Sequence, residues 1–524
     1  MKRGDFFDFF IQKILKLVYD IQPSSEKGNL SRSEIESILM KAADLIRTRV
    51  DYKYILILLF LKRLSDKWEI EYQEAYDEAL EDGLAEEEAR VEAKRDEYHD
   101  FNFPEKFLWD NLREDVDELP ERLSEALRTL GELNPNLKDV VDRSDFIQFT
   151  ESRENFKILR QLVELFSQRK FYNVSPDVLG NGYEWVLHHF APEKAKEGEV
   201  YTPREVIKLL IEILDPKPLQ SVYDPASGSG GMLISAYNHV KEEYGEDEAR
   251  KLFLYGQEAN RETLALSKMN MFIHEIRDVK LNNGDTLLYP KYRKNKGLKK
   301  FDFVVANPPW NQKGYGEDEL KDGDFWKKRY TYGFPTANSA DWAWIQHMVA
   351  SAEEDGKVGV VIDNGVLFRS WGKKIRRSVL EDDLIECVIL LPEKLFYNTG
   401  APGTILVFNK DKPKEKEDKV LFINASDEYE DHPEVRKLNI LADENIEKIA
   451  EAYRGFENKE GFSRVVPLEE IRENDYNLNV TLYVFPEIER EDIDIEKTWQ
   501  ELKKIEENIN QNEFEIQGFL NELS

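Results

Sequence analysis

The sequence FDFVVANPPWN, residues 301–311, predicts a buried strand that ends abruptly in a rigid turn. It begins with a short, mainly apolar run, as expected for a strand inside a sheet. Pro308 and Pro309 have no N–H group to donate to a neighbouring strand, so the chain must leave the sheet at Asn307. The fixed φ angles of the prolines would then hold the Asn307 amide and the Trp310 indole rigidly at the end of a core strand.

Similar short apolar runs alternate with helical patterns from about residue 200 to about residue 410. The other runs typical of strands are QSVYD, LFLYGQE, VKLNN, KVGVVID, LIECVIL and TILVFNK. Strands that alternate with helices predict a doubly wound α/β domain with a mostly parallel sheet. Ligands of such sheets bind at the carboxyl ends of the strands, which is where the Asn-Pro-Pro-Trp turn would lie.

The sequence predicts three regions. Residues 1–190 have helical periodicity and predict a helical N-terminal domain, and residues 191–425 hold the α/β pattern. Residues 426–524 are polar and end in a predicted helix, which could pack on its own domain or dock on another subunit. The apolar residues of this helix are Trp499, Leu502, Ile505, Ile509, Phe514 and Leu520.

The formal net charge of −31 is unusual for a protein that holds nucleic acid by itself. If the chain acts on nucleic acid, it would depend on local patches or on a more basic partner. Two basic clusters, residues 291–300 and 369–377, could contact phosphates or could simply be solvated.

The single cysteine, Cys387, excludes an internal disulfide framework and a cysteine-built zinc site. We interpret it as a core thiol and predict no metal site. No signal peptide is evident, and the longest apolar run is far too short to span a bilayer. We therefore expect a soluble, cytoplasmic protein that makes no contact with a membrane.

Polar residues follow three of the predicted strands. Asp224 ends the first of these and runs into the glycine-rich turn PASGSGG, where a ligand could approach the backbone closely. Glu258 ends the next strand and could accept hydrogen bonds from ribose hydroxyls. Asp285 follows the third and suits an adenine amino group, so the three together predict an adenosine pocket. Upstream, Thr202 is predicted to cap a helix that starts at Pro203.

The motifs GEVYTPREV, DPASGSGGM, GQEAN, NGDTL and ANPPW occur in this order along the chain. In this order they resemble the N6-adenine DNA methyltransferases of the γ arrangement, and most closely the modification (M) subunit of type I restriction–modification systems. The segments DVLGNGYEWVLHHFA, NGVLFRSWGKKIRRSVLEDD and LPEKLFYNTGAPGTILVFNK fit the same family. The resemblance covers about residues 30–410.

This resemblance implies the fold of S-adenosylmethionine-dependent methyltransferases, with S-adenosylmethionine as cofactor. The cofactor-binding residues that it implies are Glu199, Val200, Tyr201, Thr202, Pro203, Arg204, Asp224, Gly228, Ser229, Gly230, Glu258 and Asp285. The catalytic residues that it implies are Asn307, Pro308, Pro309 and Trp310. The family more often has Phe or Tyr at position 310, which leaves cytosine N4 as an alternative to adenine N6.

The Asn-Pro-Pro-Trp turn suits the chemistry of such a methyl transfer. The amine of a purine is a poor nucleophile, and acceptors on its two N–H bonds favour the geometry that attacks a methyl group. The Asn307 side-chain oxygen and the Pro308 carbonyl would be those acceptors, positioned in advance. A base in a duplex must first be flipped out, and Trp310 could stack on it or could simply be a core aromatic.

The resemblance also implies partners. Double-stranded DNA would be the substrate, and a separate specificity (S) subunit would recognise its sequence. A second M subunit would join the same complex, giving two M subunits for each S subunit, and a restriction (R) subunit could add to it. Alternatives are a stand-alone DNA or protein-glutamine methyltransferase and a non-catalytic scaffold subunit. The long segment 312–342, rich in glycines and aromatics, could be a mobile flap or an ordinary surface insertion.

Overall fold

The structure is a computed structural model of the chain. It describes residues 30–46, 50–135, 137–138, 145–172, 174–196, 202–396, 399–433, 435 and 437–485. In the C-terminal tail it describes residues 499–500, 502–505, 508–509, 512 and 516, all of them helical.

The N-terminal region is built from helices around one apolar core. Its first helix begins with a capping box, in which the Ser31 hydroxyl accepts from the Glu34 N–H and the Glu34 carboxylate accepts from the Ser31 N–H. Its α-helices are α1 (Arg32–Ile46), α2 (Lys53–Glu81), α3 (Glu86–Glu92), α4 (Trp109–Leu112), α5 (Leu119–Leu133), α6 (Phe146–Phe149), α7 (Arg153–Ser167) and α8 (Pro176–Lys196). Short 3₁₀ helices span Asp96–Tyr98 and Glu105–Phe107.

The following region alternates strands and helices. Its strands are β1 (Ser221–Asp224), β2 (Phe253–Glu258), β3 (Val279–Asn283), β4 (Arg293–Lys294), β5 (Gly297–Leu298), β6 (Phe301–Ala306), β7 (Ala352–Asp363), β8 (Ile385–Leu390), β9 (Gly403–Asn409), β10 (Lys419–Asn424), β11 (Glu430–Asp431), β12 (Asn439–Ile440) and β13 (Ser463–Pro467). Its α-helices are α9 (Arg204–Leu214), α10 (Gly231–Tyr244), α11 (Glu246–Ala249), α12 (Arg261–Ile273), α13 (Glu317–Asp322), α14 (Trp326–Arg329), α15 (Asp341–Ser351), α16 (Lys373–Glu381), α17 (Asp443–Gly455) and α18 (Leu468–Glu473). Short 3₁₀ helices span Asn364–Leu367, Ser370–Gly372 and Val480–Leu482.

Nine of these strands form one sheet in the order β13-β10-β8-β9-β7-β6-β1-β2-β3. All of them run in one direction except β9 and β13, which are antiparallel to their neighbours. Apolar residues of α9, α10 and α17 cover one face of the sheet, and those of α15 and α16 cover the other. The predicted doubly wound, mostly parallel α/β fold is confirmed, and Cys387 is buried in β8 as a core thiol.

The sheet continues past residue 425. β13 pairs with β10, and α17 packs on α9 through ion pairs that join Lys208 to Asp443 at 2.8 Å and Arg454 to Glu212 at 3.0 Å. The domain boundaries at residues 190 and 425 remain predictions. Because these later elements complete the sheet, we propose that the α/β domain extends to about residue 485.

Helix α8 packs the helical region against α12 of the α/β region. The Tyr183 hydroxyl donates to the Leu266 carbonyl at 3.0 Å. At Gly180 the approach is so close that a Cβ atom would lie 2.2 Å from the buried His274 ring. The two regions therefore meet at a tightly packed contact between these helices.

Several residues of the two basic clusters make internal contacts. Arg376 is 1% exposed and donates to the Tyr476 carbonyl at 2.6 Å, and Arg369 pairs with Asp363 at 3.1 Å. The exposed basic residues of the clusters are Lys291, Arg293, Lys294, Lys296, Lys374 and Arg377. Contact of either cluster with DNA remains a prediction. Among the described residues, none of the helices has the length and apolar character needed to cross a membrane.

Candidate active site

Asn307 lies at the carboxyl end of β6, as predicted, and is only 8% exposed. Its Nδ2 donates to Thr202 Oγ1 at 2.8 Å, and its Oδ1 accepts from Trp310 Nε1 at 2.8 Å. An indole N–H can only donate, so this contact fixes which end of the amide carries the oxygen. The Trp310 N–H also lies 3.3 Å from the Val361 carbonyl oxygen, which offers it a second acceptor.

The prediction that Thr202 caps α9 is wrong. The N-cap position is Pro203, and no side chain makes a capping hydrogen bond there. The Thr202 hydroxyl instead contacts Asn307, which lies 105 residues further along the chain. The tertiary contact has replaced the local one, and it joins the TPREV motif to the Asn-Pro-Pro-Trp turn.

The Trp310 ring is half-buried beside Asn307. It packs edge-to-face on Phe396 with ring centroids 4.8 Å apart. A Cβ atom at Gly403 would approach the far edge of the indole to 3.2 Å. The ring is thus held by the core on one side, and its proposed stacking on a base remains a prediction.

The glycine-rich turn and Glu258 form a second part of the site. The two Glu258 carboxylate oxygens accept from the Gly228 N–H at 3.0 Å and from the Asn260 N–H at 2.8 Å. Gly228 has a φ of +50°, and a Cβ atom there would have no neighbour closer than 4.0 Å, so the turn leaves open space beside the carboxylate. Gly230 has a φ of +89°, and a Cβ atom there would lie 2.6 Å from Met271.

One cavity of about 570 Å³ joins these parts. Its wall includes Asn181, Glu184, Leu441 and Asp443 in addition to predicted residues. The predicted residues that line it are Thr202, Arg204, Asp224, Gly228, Ser229, Glu258, Asn307 and Pro309. The predicted residues that do not line it are Pro203, Gly230, Asp285, Pro308 and Trp310, and Glu199, Val200 and Tyr201 lie outside the described residues.

Comparison with known proteins identifies the family. A sequence profile described as N-6 DNA Methylase matches residues 174–492, and a profile of the HsdM N-terminal domain matches residues 35–166. The chain belongs to the N-6 DNA methylase family. It is an adenine-specific DNA methyltransferase and a modification subunit of a type I restriction–modification system.

Individual relatives agree with this assignment. The methylase is 45% identical over 522 residues to the type I restriction enzyme MjaVIII methylase subunit of Methanocaldococcus jannaschii, an alignment that covers 97% of this chain and 88% of the relative. It is 43% identical over 520 residues to the MjaVII methylase subunit of the same organism, covering 96% and 86%. The crystal structure of a type I methyltransferase subunit from Streptococcus thermophilus superposes with a TM-score of 0.73 at 27% identity, covering 87% of this chain and 100% of that one.

Asp224 of the methylase is fully enclosed at the end of β1 and is 2% exposed. Burial raises the pKa of its carboxyl to about 8, and the Glu258 charge adds to the rise. The Ala226 N–H donates to Asp224 Oδ1 at 2.9 Å, and this hydrogen bond lowers the pKa and so offsets part of the rise. Burial also raises the pKa of Glu205 in α9 to about 7. A cationic ligand in the cavity would favour the ionised forms of these two acids, whose pKa values are raised.

Helix α8 of the methylase holds Arg204 at the cavity wall. Arg204 Nε lies 3.0 Å from a Glu184 carboxylate oxygen, and Arg204 Nη2 donates to the Asn181 carbonyl at 2.9 Å. The sequence did not assign Asn181 and Glu184 to the site, although both lie in the segment DVLGNGYEWVLHHFA. The contacts of these two residues with Arg204 join helices of two different regions. Such a contact cannot be predicted from the spacing of residues along the sequence.

Asp285 lies in the turn after β3, as predicted. Its Oδ1 accepts from the Leu288 N–H at 3.1 Å, and its Oδ2 accepts from the Tyr315 hydroxyl at 2.8 Å. Tyr315 belongs to the segment that follows the Asn-Pro-Pro-Trp turn, and the sequence did not identify it. That segment packs by its aromatic residues on the loop after β3.

Proposed function

We propose that this methylase transfers a methyl group from S-adenosylmethionine to the N6 amino group of an adenine flipped out of double-stranded DNA. The observation that carries the proposal is the cavity that Asn307, Glu258 and Asp224 share. An amide oxygen that could accept from an amine and carboxylates suited to a nucleoside line the same cavity, which supports the proposal.

Several residues of the cavity suit the cofactor in their chemistry. S-adenosylmethionine, when bound, supplies a methyl group activated on a positively charged sulfur. The Glu258 carboxylate accepts from two backbone N–H groups, which orient it as an acceptor suited to ribose hydroxyls. The glycine turn leaves room for a ligand at Gly228. Asp285 suits the adenine amino group, and residues 199–204 suit the methionine end.

Asn307 would bind the target amine. Its oxygen has two lone pairs, of which Trp310 uses one, so a second remains for an N–H of the base. The Pro308 carbonyl would accept from the other N–H of the amine. Because the prolines fix the backbone, both acceptors are in place before the base arrives, and catalysis rests on position and electrostatics.

The base must leave the duplex to reach Asn307. Flipping costs roughly a few kcal/mol, and stacking on an aromatic ring returns about 1–3 kcal/mol for a base. We propose that the exposed part of the Trp310 ring provides this stacking. The net charge of −31 indicates that the methylase alone would hold DNA weakly.

The substitution Asn307→Ala tests the division between cofactor binding and chemistry. Transfer of tritiated methyl groups to DNA should be abolished, and calorimetry should show cofactor affinity that is nearly unchanged. Glu258→Gln should instead weaken cofactor binding. Loss of cofactor binding in the Asn307 variant would contradict this division of roles.

We propose that the methylase works in a complex with a specificity subunit that recognises the DNA sequence, a second methylase subunit and a restriction subunit. The curated relatives are named methylase subunits of type I restriction enzymes. In the described part of the tail, Trp499, Leu502, Ile505, Ile509 and Ile516 are all about half exposed or more. Methyl transfer measured with and without the specificity subunit tests the complex, because a stand-alone enzyme would need no partner.

A further inference from the structure

The segment of residues 312–340, which follows the Asn-Pro-Pro-Trp turn, is anchored to the loop that carries Asp285. The Arg329 guanidinium is 1% exposed and donates to the carbonyls of Thr286 at 3.0 Å and Leu287 at 2.7 Å. The Tyr330 hydroxyl donates to the same Leu287 carbonyl at 2.9 Å. A buried guanidinium that satisfies carbonyls of one loop fixes the position of that loop.

Tyr315 extends this anchoring from the backbone of the loop to its acidic side chain. Its hydroxyl donates to Asp285 Oδ2 at 2.8 Å, while Oδ1 accepts from the Leu288 N–H at 3.1 Å. With one donor on each oxygen, the plane of the carboxylate is set. Each oxygen still has a lone pair free for a ligand.

The loop also touches the glycine-rich turn. Thr286 Oγ1 donates to the Pro225 carbonyl at 2.6 Å, and the Gly284 N–H donates to the Glu258 carbonyl at 3.0 Å. The acid that Tyr315 orients is therefore tied by short contacts to the residues proposed to surround the ribose.

We propose that Tyr315 is a positioning residue for the cofactor: by holding the Asp285 carboxylate, it sets the selectivity of the site for the 6-amino group of the cofactor's adenine. This inference rests on the proposed function. A carboxylate that is free to rotate would lose binding energy when it is ordered by the ligand, whereas a carboxylate held in advance does not. The Tyr315 hydroxyl would contribute without touching the cofactor.

Calorimetry on the full chain tests the proposal with two ligands. The first is S-adenosylhomocysteine, and the second is its analogue with hydrogen in place of the 6-amino group. Tyr315→Phe should weaken binding of the first about three- to tenfold, the effect of one oriented hydrogen bond, and should change binding of the second less than about twofold. The variant keeps the ring and its packing.

Tyr330→Phe is the matched control. It removes a hydroxyl from the same segment, but the Leu287 carbonyl keeps its bond from Arg329. Both ligands should bind this variant as they bind the unaltered protein.

An equal loss for both ligands in Tyr315→Phe would overturn the proposal, because it would mean that the hydroxyl only stabilises the fold. An unchanged affinity for both would overturn it as well. If the unaltered protein binds neither ligand, it is the cofactor assignment itself that fails.

Discussion

At the scale of single residues, Trp310 contributes a hydrogen-bond donor to Asn307 as well as an aromatic ring. Its N–H fixes the amide oxygen, and Thr202 fixes the amide nitrogen. A phenylalanine at position 310 would keep an aromatic face for the base but could not donate to the amide. The proposed stacking on the base and the hydrogen bond to Asn307 are therefore separable by substitution.

The substitution Trp310→Phe should lower kcat about two- to tenfold, the usual effect of one neutral hydrogen bond, and leave the KM for DNA within about threefold. Trp310→Ala removes the ring as well and should raise the KM strongly. Steady-state methyl transfer on one duplex measures both constants. If the two variants behave alike, the ring face contributes nothing and only the loss of the indole N–H matters.

Asp224 predicts a pH dependence of stability. Its pKa of about 8 in the folded protein lies above the ordinary value of 3.8, so the folded chain binds this proton more tightly than the unfolded chain. The contribution of Asp224 to the free energy of unfolding is therefore complete at low pH and is lost as the pH rises toward 8. Relative to Asp224→Asn, the free energy of unfolding should fall by about 1.4 kcal/mol per pH unit between about pH 5 and 7.5.

Chemical denaturation of the cofactor-free protein and of this variant at several pH values measures the difference. Asp278→Asn, at an exposed acid, is the control and should follow the unaltered protein. If the free energies of unfolding of Asp224→Asn and of the unaltered protein differ by the same amount at every pH, the raised pKa of Asp224 is contradicted.

At the scale of elements, α8 and the end of α12 approach so closely that the contact leaves no room for a side chain at Gly180. Alanine normally stabilises a helix relative to glycine by roughly 0.5–1 kcal/mol. At Gly180 the added methyl group would lie 2.2 Å from the His274 ring, so we expect Gly180→Ala to destabilise the protein by about 1–3 kcal/mol.

Thermal unfolding of this variant checks the prediction. Gly400→Ala is the control, because a Cβ atom there would meet nothing within 4 Å. An unchanged or higher melting temperature for Gly180→Ala would show that the helices separate easily.

Elements also show what the sequence could predict. Seven strands of the sheet were recognisable because each is a short apolar run bounded by turn residues. β10 and β13 were missed, since β10 follows the charged run DKPKEKEDK and β13 contains an arginine and a terminal proline. Their burial comes from pairing with each other and with β8, which local sequence does not reveal.

The candidate site divides in the same way. Asp224, Glu258, Asp285 and Asn307 could be placed because each ends or follows its own strand. Tyr315 and the two α8 residues at Arg204 could not be identified, because they act through contacts between distant segments. The local capping pattern at Thr202 was misleading for the same reason.

At the scale of the whole molecule, the described part of the tail is a candidate surface for a partner. Its described apolar side chains project into solvent at helical spacing. Leu502→Glu with Ile509→Glu should therefore leave folding and cofactor binding intact but reduce the yield of complex with a co-expressed specificity subunit tenfold or more.

Affinity purification followed by quantification of both subunits measures this effect. Lys503→Glu, an exposed change of charge in the same tail, is the control. Full recovery of the complex with the double variant would place the partner on another surface.

The contact of α17 with α9 also determines when, during synthesis, the wall of the cavity is first complete. The strands that carry Asp224 and Glu258 leave the ribosome early, whereas Leu441, Asp443 and Ile446, which close the same cavity, emerge much later. A ligand stabilises only a chain that can already bind it. The cavity is therefore complete only after most of the chain has been translated, and a ligand that needs its full wall could stabilise the chain only from that point on.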